Sequence, residues 1–120
     1  MFVACDTGFG PIKSLIEHAI AQDEFERIDL YWLATRAGGH YLENQCRAWA
    51  ASLDQFHFVA LADADPAAGA RKVVAQLLAD HRSTVAAGLY LAGPAQFVAT
   101  AREALTSADF PAQHIRLFCT

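Results

Sequence analysis

Short apolar runs alternate along the chain with stretches in which apolar residues recur every three or four positions. The runs cover residues 1–5, 28–34, 56–62, 88–92 and 114–118, and each predicts a β-strand, the last at a sheet edge. Apolar residues at helical spacing begin at Ile12 and recur in three further segments: over 41–53, around Val73–Val74 and around Phe97–Val98. Because strand and helix alternate throughout, the sequence predicts an α/β fold: a parallel sheet with helices on both faces.

Three glycine-containing loops follow strands of this predicted sheet. They cover residues 6–11, 35–39 and 93–94. In open α/β sheets, ligands bind beyond the carboxyl ends of the strands, and glycine allows a ligand to approach the backbone closely. We therefore expect any binding site to lie where these three loops meet.

The first loop carries the sequence Thr-Gly-Phe-Gly-Pro at residues 7–11, between a strand and the start of a helix. Free N–H groups and the positive end of the helix dipole at such a junction suit an anion such as pyrophosphate. Pro11 fits the first helical position. The segment lacks both the G-x-G-x-x-G fingerprint and a Walker lysine, so a plain tight turn is an alternative interpretation. Arg36, past the second strand, could hold a phosphate, stack on adenine or be solvated.

Composition limits the class of protein. The 120 residues are 54% hydrophobic and 18% charged with a net charge of -4, which is not the composition of a disordered chain or of a nucleic-acid-binding surface. No apolar run is long enough for a membrane span, and the first residues do not resemble a secretory signal. The three cysteines and five histidines lack metal-binding or disulfide spacing. We expect one cytoplasmic domain without a metal, and the sequence alone does not pair any Ser/His/Asp set as catalytic residues.

Three segments together carry a family resemblance. Residues 5–14 (CDTGFGPIKS) are similar to the family segment G-G-T-G-F-A-P-I-K-S. Residues 30–36, followed by Tyr41-Leu42, are similar to the segment Y-W-G-A-R…Y-L. Residues 90–98 (YLAGPAQFV) are similar to the segment Y-x-C-G-P-P-x-M-V. In this order and spacing they resemble the NAD(P)-binding domain of the ferredoxin–NADP reductase superfamily, over residues 1 to about 105. The nearest subgroup comprises bacterial flavin-dependent reductases that serve oxygenases or deoxysugar-forming enzymes.

The resemblance implies a Rossmann-like five-stranded sheet in the order 3-2-1-4-5. It also implies an oxidoreductase function in electron transfer: the domain would bind NADH or NADPH and present the nicotinamide to a flavin, FAD or FMN, on another domain or chain. The implied nucleotide-binding residues are Asp6, Thr7, Gly8, Phe9, Gly10, Pro11, Thr35, Arg36, Ala92, Gly93, Pro94 and Phe97.

The resemblance gives several of these residues separate roles. Thr7, Gly8 and Gly10 would line the pyrophosphate, and Arg36 would lie beside the adenosine ribose. The nucleotide would be flanked by three residues after the fourth strand, namely Gly93, Pro94 and Phe97.

Two positions depart from the family pattern. Asp6 replaces a glycine beside the pyrophosphate loop, where a carboxylate is expected to repel the ligand, and Ala92 replaces a cysteine that faces the nicotinamide. These departures keep open an alternative, a degenerate nucleotide-binding domain that acts as a protein interaction module. A generic flavodoxin-like phosphate-binding domain is a further alternative.

The flavin-binding half of the family is not recognisable in the sequence. No R-x-Y-S/T motif is present, so the flavin domain is expected to be absent from this chain. We accordingly expect the isolated chain not to oxidise the nucleotide at an appreciable rate.

Overall fold

Five parallel strands form one sheet in a computed structural model that describes residues 1–23, 25–81 and 88–120. In chain order the strands are β1 (Phe2–Cys5), β2 (Ile28–Ala34), β3 (Phe56–Ala62), β4 (Leu89–Gly93) and β5 (Ile115–Cys119). The helices are α1 (Phe9–Gln22), α2 (Glu43–Ser52), α3 (Pro66–Asp80) and α4 (Ala95–Ser107). The spatial order is β3-β2-β1-β4-β5, so the predicted fold class and strand order are confirmed.

Two hydrophobic layers cover the two faces of the sheet. Strands β1 and β2 are buried at every position, because successive side chains alternate between faces and both faces carry helices. Trp32 of β2 faces the layer formed with α1 and α2, whereas Tyr31 and Leu33 face the layer formed with α3 and α4. The continuous apolar runs of these two strands therefore reflect their central position.

The start of α1 differs from the prediction. The helix begins at Phe9, after a short 3-10 turn over Asp6–Gly8, so Pro11 is its third residue rather than its first. Proline is tolerated there because the first four N–H groups of a helix have no intrahelical partner.

Other boundaries shift by one or two residues. The helix predicted over 41–53 runs over Glu43–Ser52, and the fourth strand is Leu89–Gly93. The fifth strand begins at Ile115, because His114 belongs to a short 3-10 turn over Ala112–His114. The predicted bounds of β2 and β3 are confirmed at both ends.

The chain reverses direction across the sheet between β1 and β4. From β1 it moves outward to β2 and β3, and then returns to place β4 on the other side of β1. The register pairs Cys5 with Leu33 on one side and Ala4 with Ala92 on the other. Because the strands are parallel, the loops after β1, β2 and β4 meet at one edge, at the point where such sheets bind ligands.

Candidate nucleotide-binding site

The two glycines after β1 have different surroundings. A Cβ built on Gly8 would lie 2.7 Å from the carbonyl carbon of Ala92 and 2.8 Å from Cα of Gly93, so the backbone of this turn packs directly on β4. A Cβ on Gly10 would meet no atom within 4 Å. Gly8 is therefore required by packing, whereas Gly10 leaves open space above the first turn of α1.

The amino end of α1 is suited to an anion. No side chain caps the helix start, and its first turn carries no acidic residue. Thr7 and Gly10 are exposed there, and Pro11 is half-buried. The N–H of Phe9 donates to carbonyls of the preceding 3-10 turn, and Pro11 has no N–H, so it is mainly the positive end of the helix dipole, beside exposed Gly10, that faces accessible space and suits a phosphate group.

The loop after β2 folds back in a tight turn. The N–H of Gly39 donates to the carbonyl of Arg36 at 3.0 Å, and Gly38 has a φ of 80°, which glycine adopts without steric cost. Gly39 is buried, and a Cβ there would lie 2.7 Å from Cβ of Ala34. The turn leaves Arg36 exposed, and within the described residues its guanidinium forms no hydrogen bond or ion pair.

A cavity of about 400 Å³ lies between the carboxyl ends of β2 and β3. Its lining combines small side chains with one cation and one carboxylate: Ala34, Thr35, Arg36, Ala37, Ala62, Asp63 and Ala64. The backbone joins the two walls, since the N–H of Asp63 donates to the carbonyl of Ala34 at 3.0 Å. The cavity has room for a small planar group beside an arginine.

Asp63 lines this cavity, and the sequence interpretation did not include it among the candidate residues. The backbone N–H of Asp65 donates to its carboxylate at 2.9 Å, and Lys72 lies 3.5 Å away. These donors, the backbone N–H above all, lower the pKa of Asp63, so it stays ionised opposite Arg36. The sequence feature that could have identified Asp63 is its position directly after β3. The strand β3 is parallel to β2, so its carboxyl end lies beside Arg36.

The end of β4 forms the other side of the edge. Gly93 is buried, and a Cβ there would lie 2.9 Å both from Cβ of Cys5 and from a ring carbon of Phe97. Half-buried Pro94 then precedes α4. Phe97 is fully buried in the layer of α3 and α4, so its side chain supports the strand end rather than lining open space.

The twelve residues implied by the resemblance all lie at this carboxyl edge, but their accessibility differs. Thr7, Gly10 and Arg36 are exposed and Pro11, Thr35 and Pro94 are half-buried. The buried residues are Asp6, Gly8, Phe9, Ala92, Gly93 and Phe97. A ligand can therefore contact the exposed and half-buried residues directly. The buried residues shape the backbone beneath it.

The Asp6 carboxylate is paired within the protein, and the repulsion expected from it stays a prediction. It accepts hydrogen bonds from both the N–H and the hydroxyl of Thr35. Asp6 has a φ of 50°, in the left-handed region where the family pattern has glycine. That backbone conformation turns the side chain toward the end of β2.

Sequence comparison agrees with this geometry. A sequence model of the oxidoreductase NAD-binding domain matches residues 2–103. The chain belongs to this family. The resemblance to the nucleotide domain of ferredoxin–NADP reductases is thereby confirmed, and NAD or NADP is its cofactor type.

Two kinds of reductase are similar to this NAD-binding domain. The NAD(P)H-flavin reductase of Vibrio harveyi is 30% identical over 109 residues, which are 88% of this chain and 46% of that protein. The CDP-6-deoxy-L-threo-D-glycero-4-hexulose-3-dehydrase reductase of Yersinia pestis is 29% identical over 65 residues, 54% of this chain and 20% of that protein. The chain thus spans less than half the length of these relatives.

Away from this edge of the sheet, the described structure holds another cavity, beside polar side chains that pair with one another. Within residues 1–23, 25–81 and 88–120, no helix is both long and apolar enough to cross a membrane, and no cluster of metal-binding side chains occurs. A larger cavity of about 570 Å³ lies at the opposite end of β2, beside Asp29, Tyr31 and Asp80. Tyr31 donates to Asp80 at 2.7 Å and Arg27 donates to Asp29 at 3.0 Å, so these groups pair with one another.

Cys5 is not a nucleophile for this site. Burial, reinforced by the neighbouring charge of Asp6, raises the pKa of its thiol to about 12. Burial likewise raises the pKa of Cys46 to about 12. Both thiols stay protonated near neutral pH, and the reactive form of cysteine is the thiolate.

We therefore expect one of the three thiols to react in the native protein. Cys119 is exposed, whereas Cys5 and Cys46 are buried, so iodoacetamide at neutral pH should modify Cys119 first. Mass spectrometry before and after denaturation should give one label and then three. The Cys119→Ser variant is the control, and rapid labelling of that variant in its native state would contradict the buried positions of the other two.

Proposed function

We propose that this domain binds NADH or NADPH across the carboxyl edge of its sheet and presents the nicotinamide to a flavin held by another domain or chain. The observation that carries the proposal is the uncapped start of α1, which faces open space at Gly10 beside the strand reversal. A dinucleotide pyrophosphate fits this position, because its charge meets the helix dipole and no side chain fills the space.

The two halves of the nucleotide would then extend in opposite directions from the pyrophosphate. On one side lies the cavity between Arg36 and Asp63, which suits an adenosine with its ribose beside the guanidinium. On the other side lies the end of β4, where Ala92 and Gly93 present small, buried residues. The nicotinamide would lie there, open to a flavin from outside the domain.

The chain itself would bind and orient the nucleotide rather than transfer protons. When bound, the reduced nicotinamide supplies the hydride, and the flavin accepts it. Arg36 would hold the adenosine end, the start of α1 the pyrophosphate, and the turn at Gly8 and Gly93 would fix the distance between β1 and β4. One of the similar proteins is named a NAD(P)H-flavin reductase, which supports a nucleotide-binding role for this domain and a flavin-binding role for another domain or chain.

The test is isothermal titration of the purified chain with NADH and NADPH, using a variant that adds a carboxylate at the proposed pyrophosphate position. Gly10→Glu should weaken binding about tenfold or more, about 1.4 kcal/mol, because two anions would share the helix end. The fold should be retained, since Gly10 faces open space and an acidic residue suits a helix amino terminus.

His18→Glu is the matched control. His18 is exposed on α1, about 12 Å from Gly10 along the helix axis. At that distance, which is longer than the Debye length of about 8–10 Å, salt largely screens the interaction between surface charges. We expect this variant to bind like the parent. Absence of binding by the parent, or equal affinity of Gly10→Glu, would argue against the proposal and favour the interaction-module alternative.

A further inference from the structure

Asp6 holds the end of β2 through both of its carboxylate oxygens. The backbone N–H of Thr35 donates to Oδ1 at 2.9 Å, and the hydroxyl of Thr35 donates to Oδ2. Asp6 is only 8% exposed, so little solvent competes for these oxygens. Two residues 29 positions apart are thereby joined at the carboxyl ends of adjacent strands.

The backbone of Asp6 is held from the same direction. The indole Nε1–H of Trp32 donates to the carbonyl of Asp6 at 3.1 Å, and the indole stacks on Phe9 with ring centroids 4.1 Å apart. These contacts fix Asp6 at its φ of 50°. Glycine would adopt this conformation more easily, but it would provide no acceptor for Thr35.

The loop after β2 is built on this carboxylate. Both donors of Thr35 are engaged by Asp6, so they are not free to donate to a ligand. Gly39 packs on the same group, and a Cβ there would lie 2.5 Å from Oδ1 of Asp6. Arg36 follows Thr35 directly and lines the cavity between β2 and β3. The position of Arg36 therefore depends on Asp6, although the two side chains form no hydrogen bond.

We propose that Asp6 and Thr35 form a clasp that positions Arg36 and the adjoining cavity wall for the adenosine half of the nucleotide. This inference rests on the proposed function. Asp6 acts here as a positioning residue: it orders the loop before the ligand arrives, so that binding does not bear the cost of ordering it. If Asp6 forms the clasp, replacing its carboxylate should lower the affinity for the adenosine half of the nucleotide. If the carboxylate instead repels the pyrophosphate, the same replacement should raise the affinity.

The experiment is an NMR-monitored titration of the full chain with ADP and, separately, with inorganic pyrophosphate. In Asp6→Asn and Thr35→Val, the affinity for ADP should fall about tenfold, while the affinity for pyrophosphate stays within about twofold of the parent. The two substitutions should not add in the double variant, because they remove the same interaction. A repelling carboxylate would instead make Asp6→Asn bind both ligands more tightly.

Two further variants separate positioning from a general loss of structure. Thr35→Ser keeps both donors and should restore the parent affinity for ADP. Asp23→Asn is the matched control, since Asp23 is exposed and has a φ of 52°, so the same substitution is made in the same backbone conformation. The NMR spectra report the fold of every variant directly, and Thr35→Val tests the clasp without changing the charge.

Each outcome distinguishes this inference from the function on which it rests. A parent chain that binds neither ADP nor NADPH would overturn the proposed function and the clasp together. A parent that binds ADP, with Asp6→Asn and Thr35→Val binding as tightly or more tightly, would overturn the clasp alone. Selective loss of ADP affinity in both variants, rescued by Thr35→Ser, supports it.

Discussion

Gly8→Ala should destabilise the protein by about 3 kcal/mol and lower its Tm by about 10 °C, the largest stability effect that we expect from a single added methyl group here. The added Cβ would lie 2.7 Å from the carbonyl carbon of Ala92 and 2.8 Å from Cα of Gly93. Both atoms belong to the backbone of β4, so neither can rotate away as a side-chain terminus would. Thermal unfolding followed by circular dichroism measures the change.

Gly10→Ala is the matched control, with the same substitution two residues along the chain. No atom lies within 4 Å of its added Cβ, and the family pattern has alanine at this position. Its Tm should therefore equal or exceed that of the parent, since alanine favours the helix more than glycine does. Equal loss of stability in the two variants would show that the turn does not pack on β4.

Strand positions and order could be predicted because they depend on patterns that the chain carries locally. The runs that became β2 and β3 are bounded by charged and turn-forming residues, and their ends are confirmed. Their parallel arrangement follows from the alternation with helices, and the three ordered motifs gave the strand order. The start of α1 could not be predicted in the same way, because the 3-10 turn that precedes it has no apolar periodicity of its own.

The distinct roles of Gly8 and Gly10 could not be predicted from the sequence. Both are glycines of one motif, and the difference arises from a neighbouring strand more than 80 positions away along the chain. Asp6 shows the same limit. Its charge is evident, but its partner Thr35 depends on a positive φ and on the register of β1 against β2. The pairing of Asp6 with Thr35 was therefore not foreseen, and repulsion of the ligand by this carboxylate stays a prediction.

Asp63 was missed for a related reason. The segment Asp63-Ala64-Asp65-Pro66 has the composition of an ordinary helix start, and Asp65 indeed caps α3 by accepting from Ala67 at 3.0 Å. Only the pairing of β3 with β2 places Asp63 across the cavity from Arg36. Tertiary register thus adds a carboxylate that faces a cation at the proposed adenosine position.

Joining this chain to a flavin-binding domain should raise the rate of NADH or NADPH oxidation by a factor on the order of 10³ or more over the chain with free flavin. Hydride transfer requires the donor and acceptor carbons to lie roughly 3–3.5 Å apart. In the proposed complex this chain supplies one wall of the crevice, at Gly93 and Pro94, and free flavin meets it without a fixed orientation. The assay follows nucleotide absorbance with a dye as final acceptor.

The same assay can show that the rate arises at the site proposed here. In the joined system, Gly10→Glu should raise KM for the nucleotide about tenfold, in line with its weaker binding, whereas His18→Glu should leave KM unchanged. Because Gly10 lies at the proposed pyrophosphate position, away from the proposed position of the reacting carbons, kcat should change less than KM. Rapid, saturable oxidation by the isolated chain would contradict the division between two domains, since it would require a complete hydride-transfer site within these 120 residues.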